Sequence, residues 1–398
     1  MTTLDLGRSG PINAVHDWPA PLTREARAVT TRADIEALAG EWLALENAAP
    51  GVTLFQSLGW ARAVFDFEAA RDNREFAPVV ATLRERGRLV ALLPLERIRG
   101  RLRSALMPLG GAFPQYADFL VDPAVDAKQA LAELLKSAAA AQPADMVAFL
   151  KIRAGSNLAR ALPPGAVTTG TLEGAPFVSF AAHPDFETYF KTLKPKTRKN
   201  MRNARNRLER DGDVSHHIAA TREETLGVIS RTLAGRAGRL RDQGLTSRAF
   251  TDPDFATFCA SLASRPDIDL LAMSLRHKGE PIAEQWGFVH QGRYYAFVAS
   301  RDFDQSEESP GKLHLKEVIE TCYARRLTAA DLLVPSMPYK LTWASGVTAV
   351  TDHAIPLTLR GRLGIAIWDR RLRPWAKGLM LSLPKSLRGV LMQAAGRG

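Results

Sequence analysis

Residues 269–300, DLLAMSLRHKGEPIAEQWGFVHQGRYYAFVAS, decide the fold class of this 398-residue chain. Asp269 to Arg276 and Ile282 to His290 are apolar runs of strand length, separated by the turn Lys278-Gly279-Glu280. A second turn, Gln291-Gly292-Arg293, leads into Tyr294 to Ser300. Such runs punctuated by glycine-containing turns predict an antiparallel meander. Downstream, Pro310-Gly311 opens a helix that reaches about Arg326, proline being tolerated in a first helical turn, and Asp331 to Val334 reads as a short final strand. Upstream, a strand near Pro176 to Phe180 precedes the capping candidate Asp185. A basic helix, Lys196 to Arg210, ends at Asp211-Gly212, and two more helices span Glu223 to Ala237 and Asp252 to Ala263.

The first part of the chain repeats this plan. A helix over Arg32 to Glu46 and another around Trp60 to Phe65 precede a hairpin, Ala77 to Leu83 and Leu89 to Leu95, joined by 84–88. A strand near Ala117 to Val121, a helix from Ala127 to Ala141 and a strand from Met146 to Lys151 follow. The stretch Ala161 to Gly174, rich in proline, glycine and threonine, separates the two units. The expected architecture is α+β, a tandem of two related units. An irregular tail (1–27) comes first, then units at 28–165 and 175–355, then a basic extension at 356–398.

Composition bounds the function. At 46% apolar and 24% charged the chain is globular, not disordered, and no apolar run approaches the roughly 20 residues of a membrane-spanning helix. Met1 to Ala20 lack a basic start followed by an apolar stretch, so the expected location is the cytoplasm. Cys259 and Cys322 stand alone, which argues for reduced buried thiols and against a disulfide framework or a metal site. The net charge of +11 is concentrated. Lys191 to Arg210 and Pro356 to Gly398 each hold nine Lys or Arg against one acid, leaving the remaining chain slightly acidic. Two patches on such a body suit local phosphate sites or an anionic membrane surface, or are simply solvated helix faces.

The order Gly279-Glu280-Pro281-Ile282-Ala283, then Tyr294 to Ser300, then Ser309-Pro310-Gly311, then Pro338-Tyr339-Lys340-Leu341-Thr342-Trp343 resembles the GNAT acyltransferase superfamily, and within it the CelD-like and FemAB-like proteins built from tandem GNAT domains. The resemblance covers Phe177 to Trp343 well. It is weaker in the first unit, where Phe55 to Trp60 and Leu92-Leu93-Pro94-Leu95 carry it. It implies two GNAT-like domains of mainly antiparallel sheet flanked by helices, the first degenerate. It also implies transfer of an acyl group from acyl-CoA to an amine, or from aminoacyl-tRNA in the FemAB-like branch.

Such chemistry needs a base to free the amine lone pair, a donor for the oxyanion and a proton for the departing thiolate. The resemblance places the general acid at Tyr339, with Lys340 beside it to hold a substrate carboxylate or phosphate. The alternative is that Tyr339 and Trp343, four apart, pack one helix face. Relatives often carry Gly and two acids before Pro-Tyr-Lys. Pro335, Ser336 and Met337 stand there instead, which leaves room for a more apolar acceptor. Glu284 shares a strand face with Ile282, Trp286 and Phe288 by period-two alternation. A carboxylate there has the raised pKa of a base, with Trp286 as a substrate contact, or it is an edge-strand charge that blunts aggregation. Asp302, His314 and His353 are reserves. For the donor pyrophosphate the resemblance points to the loop and helix start at Arg301, Ser309, Gly311 and Lys312, although no Gly-x-Gly is present and Asp302, Asp304, Glu307 and Glu308 make the loop acidic. The second phosphate candidate is Lys196-x-Arg198-x-Asn200-x-Arg202, which resembles the basic helix start of FemAB-like proteins.

After Trp343, Leu363, Ile365, Ile367, Trp368, Leu372, Trp375, Leu379, Met380 and Leu383 interleave with Arg360, Arg362, Arg370, Arg371, Arg373 and Lys377. This describes a helix lying in an anionic inner-membrane interface, interrupted at Pro374, or one docked on the protein. No nucleic-acid reading code is present, so DNA is not an expected partner and tRNA enters only as an acyl donor. The function expected is N-acylation of an amine on a cell-envelope precursor, an exopolysaccharide amino sugar, by a peripherally attached enzyme. A long-chain lipid amine, aminoacyl-tRNA-dependent transfer and a non-catalytic sensor of anionic ligands are the alternatives.

Overall fold

The computed structural model describes residues 24–100, 102–245, 247–301 and 310–372, with single positions up to Ser382. The first half runs β1 (Arg24–Val29), α1 (Arg32–Ala37), α2 (Ala39–Ala48), α3 (Leu58–Ala70), β2 (Pro78–Glu85), β3 (Arg88–Arg99), β4 (Ser104–Pro108), β5 (Leu120–Val121), α4 (Ala127–Ala141), β6 (Met146–Arg153) and α5 (Asn157–Ala161). The second runs β7 (Val167–Thr168), β8 (Glu173–Ser179), α6 (Phe186–Thr192), α7 (Pro195–Asp211), β9 (Val214–Ile218), α8 (Arg222–Asp242), α9 (Arg248–Thr251), α10 (Phe255–Leu262), β10 (Asp269–His277), β11 (Glu280–His290), β12 (Arg293–Arg301), α11 (Pro310–Ala324), β13 (Ala329–Asp331), α12 (Pro338–Leu341), β14 (Gly346–Pro356) and α13 (Leu359–Gly364).

Hydrogen bonding joins these strands into one mixed sheet, ordered β1-β2-β3-β4-β6-β14-β8-β13-β12-β11-β10-β9. Each half repeats one motif. The meander β2-β3-β4 is antiparallel, α4 crosses over, and β6 returns parallel to β4. Likewise β10-β11-β12 is antiparallel, α11 crosses over, and β13 returns parallel to β12. The expected meander at 269–300 is thus present, and Asp185 caps α6 by accepting from the Thr188 N–H.

Several elements differ from expectation. The strand expected near Asp331 to Val334 is not the final one; another follows from Gly346. It is the eleven-residue β14, antiparallel to β6 on one side and to β8 on the other, at the centre of the sheet. Val347, Thr348, Val350, Thr351 and Ile355 are the β-branched residues that favour it. The tail ends sooner than residue 27, because Arg24–Val29 pair with β2. The single helix expected from Arg32 to Glu46 breaks at Leu38, and β13 occupies Ala329–Asp331 in place of 331–334.

Alternation along the strands feeds opposite faces of the sheet. Val80, Leu92, Trp286 and Phe288 join a core covered by α2, α3, α8 and α10, to which both halves contribute. Trp60 sits in it edge-on to Phe55, Phe258 and Phe288. On the other face Val79, Ala81 and Leu93 pack under α4, while Leu271, Met273 and Tyr294 pack under α6, α7 and α11. Cys259 and Cys322 are buried free thiols, as expected.

Candidate active site

β12 and β13 are hydrogen-bonded in parallel only from Arg293/Ala329 to Tyr295/Asp331. β12 continues to Arg301, whereas the chain after Asp331 leaves the sheet through Leu333, at φ 57°, and a cis Val334–Pro335 bond into α12. A notch opens where the two strands part. α8 lies across β12 beside it, and Gly235 permits the approach, since a Cβ there would stand 2.2 Å from the Ser300 Oγ.

α12 carries the motif residues to this notch. Tyr339 is half-buried against the core under α11, while Trp343 is sealed there, its carbonyl accepting from the Tyr189 hydroxyl. The two residues therefore do not share one role. Lys340 is also half-buried, and its Nζ donates to the Leu333 carbonyl at 3.0 Å and the Pro335 carbonyl at 3.1 Å. Burial, reinforced by the nearby Arg236 guanidinium, pushes its pKa down to about 8. Lys340 braces the turn between β13 and α12, leaving one N–H of three for a substrate.

Glu284 is buried at the junction of α8, β10 and β11. Its carboxylate accepts from Arg231 at 2.9 and 2.7 Å and from Ser274 Oγ at 2.8 Å. The free base expected there is one half of an ion pair, so Arg231 would have to release it before it took a proton. Trp286 is fully buried and its indole N–H donates to Thr232 Oγ1, which corrects the expectation of a substrate contact. His314 is likewise corrected. It is 3% exposed, neither ring nitrogen has a hydrogen-bond partner among the described residues, and burial pushes its pKa down to about 3, so it is a neutral core imidazole. His353, the other reserve histidine, is half-buried on β14 and contacts Thr168 and Thr351.

Gly311 and Lys312 lie in the first turn of α11, with Lys312 exposed. Asp302, Ser309 and the Arg301 side chain lie outside the described residues, as does most of the acidic loop. On α7, Met201, Ala204 and Leu208 face inward. Residues two apart are about 200° apart on a helix. Lys196 and Asn200 therefore take one flank and Arg198 and Arg202 another, so the four do not converge on one phosphate. Arg198 is partly committed, donating to the Leu193 carbonyl at 3.2 Å.

Two residues that sequence reasoning passed over stand at the notch. Asp331 ends β13 and is buried. Its Oδ1 accepts from Tyr116 Oη at 3.0 Å and from Leu333 N–H at 2.9 Å, and burial raises its pKa. Its Oδ2 has no hydrogen bond among the described residues. The guanidinium of Arg236, on α8 and close enough to Lys340 to lower its pKa, also has no hydrogen bond among the described residues. A lone acid in the middle of the apolar run Ala329-Ala330-Asp331-Leu332-Leu333 was the available signal for Asp331.

Residues 195–341 match the family model described as an acetyltransferase (GNAT) domain. That segment is a GNAT domain. The match spans α7 to α12 and so includes the β12/β13 notch. Among solved structures, the chain superposes on FemX with a TM-score of 0.57 at 11% identity, covering 83% of this chain and 98% of that one. This likeness carries the fold. A tandem GNAT protein from the clavulanic acid biosynthesis pathway (12% identity, 83% and 98% coverage, TM-score 0.45) and L-PGS from Bacillus licheniformis (13%, 71% and 87%, 0.43) resemble it more loosely. No curated protein matches the sequence.

Proposed function

We propose that the protein is an N-acyltransferase that moves an acyl group from acyl-CoA to an amine of a cell-envelope precursor, an amino sugar of an exopolysaccharide. In this reading 175–355 is the catalytic unit and 28–165 its degenerate partner. The observation that carries it is the notch left where β13 parts from β12 after Tyr295/Asp331, with Tyr339 on the helix beside it, inside the segment that matches the acetyltransferase model.

The amine nitrogen attacks the thioester carbonyl carbon, and the tetrahedral intermediate collapses by breaking the C–S bond. The sulfur leaves as thiolate and takes the Tyr339 hydroxyl proton, which solvent restores. The proton lost by the nitrogen needs an acceptor close to neutrality. Asp331, with its raised pKa and unoccupied Oδ2, suits this better than Glu284, which Arg231 holds. Arg236 and the remaining Lys340 N–H supply positive charge near the developing oxyanion.

A lipid amine is the second reading, favoured by the C-terminal surface. Gly361, Ile365 and Asp369 turn inward at four-residue steps, Asp369 pairing with Arg103 at 2.7 Å. Leu359, Arg360, Arg362, Leu363, Ile367 and Trp368 are left exposed. Apolar and cationic residues side by side suit an anionic bilayer surface, so we place the protein in the cytoplasm, attached peripherally to the inner membrane. No helix of the described residues is long and apolar enough to cross it. Exposed Lys196, Lys199 and Arg202 on α7 keep an aminoacyl-tRNA donor in view. Free-thiol release from acetyl-CoA and a long-chain acyl-CoA, with glucosamine or a sphingoid amine as acceptor, separates these cases. Turnover with glucosamine supports the amino-sugar reading, turnover only with the long-chain pair supports the lipid, and no turnover with any thioester overturns acyl-CoA dependence.

A further inference from the structure

A cleft of about 220 Å³ lies on the sheet face beside the point where β13 ends. Its floor takes one side chain from each of five neighbouring strands: Arg153 on β6, Thr348 on β14, Phe177 on β8, Asp331 on β13 and Arg293 on β12. Val350, Ala175 and Tyr295, each two residues from a floor position, belong to the core shared by both halves, which fixes the face to which these side chains point. Pro50-Gly51 and the segment from Ala154 to Arg160 supply the walls.

Three guanidiniums meet one carboxylate in this small volume. Arg153 is committed to the protein. It donates to the Gly51 carbonyl at 2.5 Å and to Asp118 Oδ2 at 3.4 Å, and it stands 5.1 Å over the Tyr116 ring. Arg160 is held by the Gly155 carbonyl and by Asn157 Oδ1. Arg293 is half-buried, and its guanidinium has no hydrogen bond among the described residues. Asp331 presents the oxygen that neither Tyr116 nor Leu333 uses. Excess positive charge, half-buried at Arg293 and exposed at Arg160 on the rim, selects an anion, and guanidinium geometry suits phosphate or carboxylate. The single carboxylate beside it selects a cationic or amine group.

We propose that this cleft binds the acceptor by an anionic group, phosphate or carboxylate, set against Arg160 and Arg293, with the amine to be acylated facing Asp331. The inference rests on the acyltransferase reading and names its acceptor class: a small amine that carries its own anion. Sites enclosing drug-sized ligands measure about 300–1,000 Å³, so this one suits a single sugar or amino acid. Both halves build it, so neither unit would recognise the acceptor alone.

Isothermal titration calorimetry of the full chain at low salt tests it directly, with glucosamine 6-phosphate, glutamate, glucosamine and inorganic phosphate as probes. The expected result is that glucosamine 6-phosphate or glutamate binds at least about tenfold more tightly than glucosamine or phosphate, and whichever is tighter names the anion. Arg293→Gln and Arg160→Gln each weaken that binding about tenfold or more with an unchanged melting temperature, while Lys136→Gln, on the exposed face of α4, does not. Equal affinity in the two arginine variants and the parent, or binding of phosphate alone as tight as that of the amine-bearing anions, overturns the proposal. Binding without acylation of any amine would instead remove the acyltransferase reading and leave the cleft standing.

Discussion

In the reaction proposed, Tyr339 is the proton donor to the leaving sulfur. Half-buried on α12, it has a hydroxyl whose loss removes a proton donor but little packing. Tyr339→Phe is therefore expected to lower kcat by about 10²-fold or more, the scale of general acid–base contributions, with the thermal midpoint nearly unchanged. Rates of thiol release and a calorimetric melt measure the two effects. His314 gives an independent expectation in pH. Burial holds its folded pKa at about 3, well below the ordinary 6.5. Below pH 6.5 the unfolded chain takes up a proton that the folded chain refuses, so this residue's contribution is whole above pH 6.5 and erodes as pH falls toward 3, by up to about 1.4 kcal/mol per pH unit. Chemical denaturation between pH 7 and pH 4 should show a shallower loss for His314→Leu than for the parent. Identical slopes would mean that the imidazole is reached by solvent.

At the scale of elements, glycine contacts set how helices dock. Gly361 lies so close to the Asp145 carbonyl that a Cβ would stand 1.9 Å from it, and backbone on both sides leaves no side chain to give way. Gly361→Ala is expected to lift α13 from the turn that leads into β6, raising tryptic cleavage near Arg362 several-fold. Unchanged cleavage would contradict this docking. The meander at 269–300, the cap of α6 and the crossover helices were legible in the sequence, because period-two alternation, glycine turns and Asp185 are local signals. β14 was not legible, because its β-branched residues are interrupted by Ala349, Asp352, His353 and Ala354 and show no clean two-residue alternation. The site was less legible still. Tyr339 and Lys340 could be placed by resemblance, but Asp331, Arg293, Arg153 and Arg160 meet only because five strands from both halves lie side by side and α5 sits at their rim. No spacing in the chain encodes that meeting. Conversely, Glu284 and Trp286 sat on the expected face, yet sequence could not show that Arg231 and Thr232 already occupy them.

For the whole molecule, the continuous sheet and the core under α2, α3, α8 and α10 couple the halves. Trp60 of the first half touches Phe258 and Phe288 of the second. Trp60→Ala should cost about 3–5 kcal/mol and lower a single unfolding transition, whereas two separated calorimetric transitions would show that the halves unfold independently. The exposed apolar and cationic surface around Leu363 and Trp368 predicts co-sedimentation with phosphatidylglycerol vesicles that weakens with salt and is lost on deleting 356–398. Equal sedimentation of both proteins would remove the attachment. All of this serves a single claim, that the notch beside Tyr339 transfers an acyl group from sulfur to nitrogen. The most direct measurement is free-thiol release from acyl-CoA by the purified full-length protein with and without an amine, alongside Tyr339→Phe. Amine-dependent release that the substitution nearly abolishes is expected; release that is absent with every thioester, or equal in parent and variant, would contradict acyl transfer at this notch.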